Sequence, residues 1–147
     1  MKIAMYQPDI PQNVGAMIRL CACLGIDLDI IEPCGFPWDD KKIKTSAMDY
    51  MTLVNVTRFS SWEKFCEDNE KWRIVLMTTK ASVPYTEFTF QENDILLAGR
   101  ESSGVPDFVH DSVGGRVVIP MHGEARSLNI VNAAAMITGE ALRQIRF

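Results

Sequence analysis

The segment 116–129 combines an apolar stretch with a turn that is unusually rich in polar side chains. Five side chains that donate or accept hydrogen bonds lie within eight residues: His122, Glu124, Arg126, Ser127 and Asn129. A connecting turn needs only turn-forming residues, and Pro120 and Gly123 already supply them. We therefore expect this turn to contact a ligand.

A serine hydrolase is one chemistry that these residues suggest, because Ser127, His122 and acidic residues are close in sequence. The chain has no G-x-S-x-G elbow, however, and a serine at the start of a helix usually serves as its N-cap. We expect Ser127 to cap the helix that follows, and hydrolysis is disfavoured.

Two other strand ends are also followed by polar loops. Thr78, Thr79 and Lys80 follow the apolar stretch before them, and "GRESSGVP" follows "DILLA". In a parallel sheet such loops leave the same carboxyl edge, where α/β folds bind their ligands. The three loops are therefore predicted to form one pocket.

The glycines of "GRESSGVP" do not form a phosphate-binding P-loop. Val105 and Pro106 occupy the places where that motif requires Lys and Ser or Thr. Gly99 at a strand end can let an adenine or a ribose approach the backbone closely. Two turn glycines flanking a short connection explain the same pattern, so both interpretations remain open.

Arg19 lies off the apolar stripe of the first predicted helix, with Gly15 one turn before it on the same side. A guanidinium beside a glycine gap suits a phosphate or carboxylate contact. Lys41, Lys42 and Lys44 form a local basic run, which is typical either of a nucleic-acid contact or of a solvated face.

Strands and helices alternate along the chain, which predicts an α/β domain with a mostly parallel sheet flanked by helices. We predict strands at 2–6, 28–33, 53–59, 73–79, 94–99 and 116–120, and helices at 11–25, 60–70 and 127–145. Ser60 and Glu63 form a predicted capping box for the second helix. Residues 1–147 are expected to form a single domain.

Composition limits the class of protein. The chain has 147 residues, of which 47% are hydrophobic and 23% charged, with no apolar run of membrane-spanning length and no signal-like start. We expect a cytoplasmic protein. The net charge of −4 argues against nucleic-acid binding by bulk charge, so any basic contacts must be local.

Cysteine and histidine provide no metal site. The four cysteines show no C-x-x-C spacing, and Cys21 and Cys23 are too close to pair, so reduced thiols are expected. With only two histidines a His-rich site is excluded, and no acidic cluster favours a bound magnesium. We expect no metal.

Three ordered motifs resemble those of the SPOUT-class RNA ribose methyltransferases. They are "PDIPQNVGAMIRLCACLG" at 8–25, "LLAGRESSGVP" at 96–106 and "VIPMHGEARSLNIVNAAA" at 118–135. With "IEPCGFPWDDKKIKTSAMDY" at 31–50, the chain is similar to the TrmL subgroup, the tRNA (cytidine/uridine-34 2′-O)-methyltransferases. The resemblance covers essentially the whole chain. It implies a C-terminal trefoil knot in roughly 75–147, one of the rare exceptions to unknotted topology.

The resemblance also implies roles for individual residues. S-adenosyl-L-methionine would be bound by Met77, Thr78, Gly99, Glu101, Ile119, Met121, Ser127 and Leu128. Catalytic roles would fall to Arg19, Arg126 and Asn129, and RNA contacts to Asn13, Arg19, Lys41, Lys42 and Arg126. Arg19 would either activate the ribose 2′-hydroxyl with help from an RNA phosphate or only position that phosphate. His122 is left without a role.

The implied activity is methyl transfer to the 2′-hydroxyl of wobble nucleotide 34, a cytidine or modified uridine, in leucine tRNAs. The expected partners are a tRNA anticodon stem-loop and a second copy of the chain in a homodimer. Two alternatives stay open: a non-catalytic knotted RNA-binding module, or a 2′-O-methyltransferase of the same class that acts elsewhere in RNA. Gly139 departs from the pattern, because close relatives are expected to have a tyrosine there that supports the RNA-bound dimer.

Overall fold

The computed structural model describes residues 1–147 and contains a six-stranded sheet between two layers of helices. All five strand pairs are parallel, in the order β3-β2-β1-β5-β4-β6. The strands are β1 (Lys2–Tyr6), β2 (Asp27–Ile31), β3 (Val56–Phe59), β4 (Arg73–Met77), β5 (Asp94–Ala98) and β6 (Gly115–Val117). The helices are α1 (Pro11–Leu24), α2 (Asp40–Ser46), α3 (Trp62–Asp68), α4 (Asp107–Ser112) and α5 (Ile130–Ile145). The predicted α/β class with a mostly parallel sheet is confirmed.

Apolar side chains cover both faces of the sheet, as parallel strands require. Alternate residues of a strand point to opposite faces, so Ile3 packs in one core and Ala4 in the other. The first core lies under α1, α2 and α5, and the second lies under α3 and α4, where Phe65 is fully buried. The central strand β5 is buried along its whole length.

Five strands begin or end one to three residues inside a predicted limit, and β2 and β6 begin one residue earlier than predicted. β3 begins at Val56 rather than at 53, because Tyr50–Leu53 forms a 3-10 helix. The pattern did not predict α2 or α4, which have seven and six residues and present too few apolar positions for a helical period to be visible.

Two predicted helix caps are wrong by one and two residues. Ser61, not Ser60, caps α3, because its hydroxyl accepts a hydrogen bond from the backbone N–H of Lys64 at 3.1 Å. Asn129, not Ser127, caps α5, with its side-chain oxygen 2.9 Å from the N–H of Val131. Ser127 therefore lies in the loop before the helix.

The C-terminal third of the chain follows an unusual path. The chain runs from β5 past β4 to reach β6, which pairs with the outer side of β4. Val83 and Tyr85, in the loop after β4, pair with Val118, just after β6, through two backbone hydrogen bonds of 2.9 Å. The implied trefoil knot stays a prediction. No helix combines the length and the apolar character needed to cross a membrane.

Candidate functional site

A cavity of about 550 Å³ opens at the carboxyl edge of β4, β5 and β6. The loops that follow these three strands all line it, which confirms the prediction that they converge on one pocket. Each of the eight residues predicted to hold a cofactor is part of the lining: Met77, Thr78, Gly99, Glu101, Ile119, Met121, Ser127 and Leu128. Their individual roles stay predictions.

The inner part of the cavity is apolar and its rim is polar. Leu76, Ala98 and Val117 come from the strands, and Ala133 and Ile137 come from α5. Serine, threonine and asparagine side chains lie among the loop residues that complete the lining. Such a surface suits a ligand that has a flat apolar ring and a few hydrogen-bonding groups.

Glu101 ties the β5 loop to the start of α1. Its carboxylate accepts hydrogen bonds from the backbone N–H of Asp9 at 3.0 Å and from the side-chain amide of Asn13 at 3.3 Å. Burial, and then the neighbouring Asp9 carboxyl, raise the pKa of Glu101 above its ordinary value. Hydrogen bonds with Glu101 and Ser102 lower the pKa of Asp9. Both oxygens of Glu101 are therefore committed to the protein itself.

Asn13 extends this connection to the last helix. Its side-chain oxygen accepts a hydrogen bond from Asn129 at 3.3 Å, while the Asn129 oxygen caps α5. Residues from three distant parts of the sequence are thereby joined at the cavity wall in the order Glu101, Asn13, Asn129. The resemblance gave the three residues separate roles, in cofactor binding, RNA contact and catalysis, and the structure brings them together.

Gly99 has a structural task that explains its place at the end of β5. A Cβ atom at this position would lie 2.8 Å from the backbone of Gly104. Arg100 and Gly104 exchange two backbone hydrogen bonds of 2.9 Å, and Gly104 has a φ of 67°. The structure favours the second interpretation of these glycines, because Gly99 and Gly104 approach each other to close a tight loop.

Arg19 does not line the cavity. It is exposed on α1, with its guanidinium 5.3 Å from the centre of the Tyr50 ring and its Nη1 3.1 Å from the Met48 sulfur. The gap expected beside Gly15 is absent, because Ser46 at the end of α2 fills that space; an added Cβ would meet the Ser46 Cβ at 2.4 Å. Within one chain, Arg19 is therefore remote from the predicted cofactor residues.

Comparison with known proteins identifies the family. Residues 1–139 match the model of the SpoU rRNA methylase family. The chain belongs to the SpoU methylase family. A Beijerinckia indica protein named tRNA (cytidine(34)-2′-O)-methyltransferase is 54% identical, over 97% of this chain and 91% of that protein. An Escherichia coli K12 protein of the same name is 37% identical, over 100% of this chain and 95% of that protein.

Solved structures agree with this assignment. A structure described as giving insights into the 2-OH methylation of C/U34 on tRNA has a TM-score of 0.92 and 35% identity, and 98% of this chain and 95% of that chain are covered. The SpoU methyltransferase AviRb from Streptomyces viridochromogenes, solved in complex with the cofactor AdoMet, has a TM-score of 0.88 and 26% identity. That match covers 98% of this chain and 60% of the AviRb chain.

Four of the five predicted RNA-contacting residues of this SpoU methylase are exposed: Arg19, Lys41, Lys42 and Arg126. Lys41 and Lys42 line a second cavity of about 670 Å³, between the start of α1 and α2. Arg126 is exposed in the loop before α5 and makes no hydrogen bond or ion pair with the rest of the chain. Asn13 belongs to the first cavity, whereas Pro11 and Gln12, on the same turn of α1, line the second.

Sequence analysis missed one residue that lines the first cavity and one that supports its wall. His110 on α4 lines it, and its Nε2 atom is buried without a hydrogen-bond partner. Asp9 makes hydrogen bonds with Glu101 and Ser102; it belongs to the motif at 8–25 but was given no role there. No local sequence signal identified His110, because α4, which places it at the cavity, was not predicted. No group of three or more His, Cys, Asp or Glu side chains is placed to hold a metal ion.

Proposed function

We propose that this SpoU methylase transfers the methyl group of S-adenosyl-L-methionine to the ribose 2′-hydroxyl of nucleotide 34 of tRNA, a cytidine or a modified uridine. The observation that carries the proposal is the cavity at the edge of β4, β5 and β6, with all eight residues of the expected cofactor set in its lining. The names of the 54% and 37% identical relatives support the choice of substrate.

The cavity fits the proposed methyl donor. Its apolar inner wall, which includes Leu76 and Ile137, can enclose an adenine ring, and the polar loops can supply hydrogen bonds to the ribose and amino-acid parts. The bound donor supplies an electrophilic methyl group on a sulfonium. The protein has to hold an oxygen in line with that carbon at about 3–3.5 Å and keep water out, so positioning provides most of the catalysis.

A second subunit is part of the proposal, because one chain does not bring Arg19 to its own cavity. Arg19 lies six residues beyond Asn13 on α1, roughly 9 Å along the helix, and it points to Tyr50 and Met48. Its expected role at the ribose or at a neighbouring phosphate is met if α1 of one subunit borders the cavity of the other. We therefore propose a homodimer with shared sites.

Exposed apolar side chains near the cavity support the same dimer. Ile10 and Leu128 line the cavity mouth and are 41% and 39% exposed, and Met136 on α5 is 43% exposed. Exposed apolar side chains commonly mark a protein interface where they form one patch. In a dimer through α5 and the 126–129 loop these side chains would be covered.

The proposed RNA partner is the anticodon stem-loop, with leucine tRNAs as the first candidates and the cytoplasm as the place of reaction. Lys41, Lys42 and Arg126 are free cations on the outer surface, and each can contact a phosphate. The overall negative charge means that binding depends on these local groups.

The test is methylation of tRNA transcripts by the purified protein, followed by mapping of the 2′-O-methyl group by mass spectrometry of nuclease fragments. We expect the label at nucleotide 34, and a 2′-deoxy-34 substrate should accept none. A label at another nucleotide would assign the chain to another RNA position. Binding of tRNA with no transfer, although the donor is bound, would instead indicate a non-catalytic RNA-binding module.

A further inference from the structure

Asp9 lies beside Glu101, a residue of the cavity wall, and one oxygen of its carboxylate is buried without a donor. Glu101 accepts from the Asp9 backbone N–H at 3.0 Å and from the Asn13 amide at 3.3 Å. One oxygen of Asp9, Oδ2, accepts a hydrogen bond from the Ser102 hydroxyl. The other oxygen, Oδ1, is buried and has no donor.

An unpartnered buried acceptor is unfavourable, and so are two adjacent negative charges. No lysine or arginine forms an ion pair with either carboxylate, so no cation offsets the second charge. A single proton between the two carboxyl groups relieves both problems. It gives the Asp9 carboxylate a donor on Glu101, with which it makes a side-chain hydrogen bond, and leaves the pair with one negative charge.

We propose that Asp9 is a positioning residue that shares one proton with Glu101, and that this proton holds the β1–α1 loop against the 99–104 loop at the cavity. The directions of the two pKa shifts are those expected of a shared proton. Burial, and then Asp9, raise the pKa of Glu101, whereas hydrogen bonds with Glu101 and Ser102 lower the pKa of Asp9. Glu101 is thus the member of the pair that carries the proton.

The other groups around the pair do not replace this proton. Asn13 faces it from α1 and Ser102 from the β5 loop. Gly35 packs its backbone against Asp9 from the β2–α2 loop, where a Cβ atom would lie 2.5 Å from the Asp9 Cβ. Cys34 is the titratable group next to Gly35, and burial raises its pKa to about 11, with smaller effects from Glu32, Arg58 and Glu101. The Cys34 thiol therefore stays neutral over the range in which Glu101 titrates.

The functional consequence rests on the proposed methyltransferase activity. The shared proton is present below the raised pKa of Glu101 and leaves as the pH rises through it. The two charges then repel, the two loops separate, and the cofactor cavity loosens. Affinity for S-adenosyl-L-methionine should therefore decline with rising pH, by about tenfold if one charge-assisted hydrogen bond is lost.

Two variants separate the shared proton from a purely structural role. Asp9→Asn keeps the size of the side chain and offers an amide N–H to Glu101 at every pH, so it should retain cofactor binding and flatten its pH dependence. Asp9→Ala removes the side-chain links to Ser102 and to Glu101, and it should weaken cofactor binding about tenfold even at low pH. Glu67→Gln, which neutralises an exposed acid on α3, is the matched control.

The deciding measurement is a nuclear magnetic resonance titration of ¹³C-labelled carboxyl groups in the cofactor-free protein. We expect Glu101 to titrate above the ordinary range for glutamate in the wild type and in Glu67→Gln, and lower in Asp9→Asn. A Glu101 titration that is the same in the wild type and in Asp9→Asn would overturn the proposal. This titration needs no substrate, so it tests the shared proton independently of catalysis. A wild-type protein that transfers no methyl group would overturn the proposed function but not the shared proton.

Calorimetric titration of the cofactor at a series of pH values that starts at the ordinary pKa of glutamate, 4.5, and rises from there provides the functional arm. A falling affinity in the wild type and a flat profile in Asp9→Asn support the shared proton. Parallel profiles in the two proteins would overturn the link between the proton and the cavity.

Discussion

The side-chain amide of Asn129 donates a hydrogen bond to the side-chain oxygen of Asn13 at 3.3 Å, across 116 residues of sequence. The same Asn129 side chain caps α5. The start of the last helix and the wall of the cavity therefore depend on one residue.

Replacement of Asn129 should separate these two tasks. Asn129→Ala removes the cap and the link to Asn13, and we expect the free energy of unfolding to fall by about 1 kcal/mol. Asn129→Asp keeps an oxygen for the cap but cannot donate to Asn13, so it should preserve stability and still weaken cofactor binding. Urea denaturation and calorimetry measure the two effects. Equal cofactor binding by the wild type and Asn129→Asp would show that the link to Asn13 does not shape the cavity.

Arg19→Ala should leave cofactor binding unchanged, because Arg19 lies outside the cavity of its own chain. Methyl transfer should fall on the order of 10²-fold or more, as expected when a group that acts on the reacting hydroxyl or its phosphate is lost. Calorimetry and a methylation assay measure the two quantities. Tyr50→Phe keeps the aromatic ring under the guanidinium and serves as the control.

Shared sites can be tested by mixing two inactive variants. In a heterodimer of Arg19→Ala with Glu101→Ala, one cavity has an intact Glu101 and receives Arg19 from the other subunit. Mixing after brief denaturation and refolding should therefore restore methylation that neither variant shows alone. If Arg19 serves the cavity of its own chain, the mixture stays inactive.

Met136→Glu should disrupt the proposed dimer by introducing a charge into its apolar centre. Sedimentation velocity is expected to show a dimer for the wild type and a monomer for this variant. Leu53→Glu, at an exposed apolar residue outside α5 and the cavity, is the matched control and should remain dimeric. A monomeric wild type at micromolar concentration would contradict the proposed assembly.

Gly139→Ala should stabilise the chain. Gly139 is exposed inside α5, and an added Cβ would meet no atom within 4 Å. Glycine within a helix costs about 1 kcal/mol relative to alanine, so the free energy of unfolding should rise by roughly that amount. Thermal or urea denaturation measures it at fixed protein concentration, because dimerisation also affects apparent stability. A loss of stability would show that the position is covered by another subunit that tolerates only glycine.

Local sequence patterns predicted the sheet and the location of the cavity for a clear reason. Strands such as β5 are continuous apolar runs followed by polar loops, and parallel strands end at one edge. Other features depend on neighbours that are distant in sequence. The partner of Asp9 lies 92 residues away, and the space beside Gly15 is filled by Ser46, on a helix too short to be predicted. The α5 cap was misplaced because Ser127 and Asn129 are both good caps, and the link to Asn13 favours the second.

The cavity draws on residues from Ile10 to Ile137. Nearly the whole chain must therefore be synthesised before the binding site for the methyl donor exists. At about 5–20 residues per second, the strands of the N-terminal half are complete seconds before α5 emerges. The nascent protein consequently cannot bind its cofactor, and the donor can stabilise only chains that have been completed or nearly so.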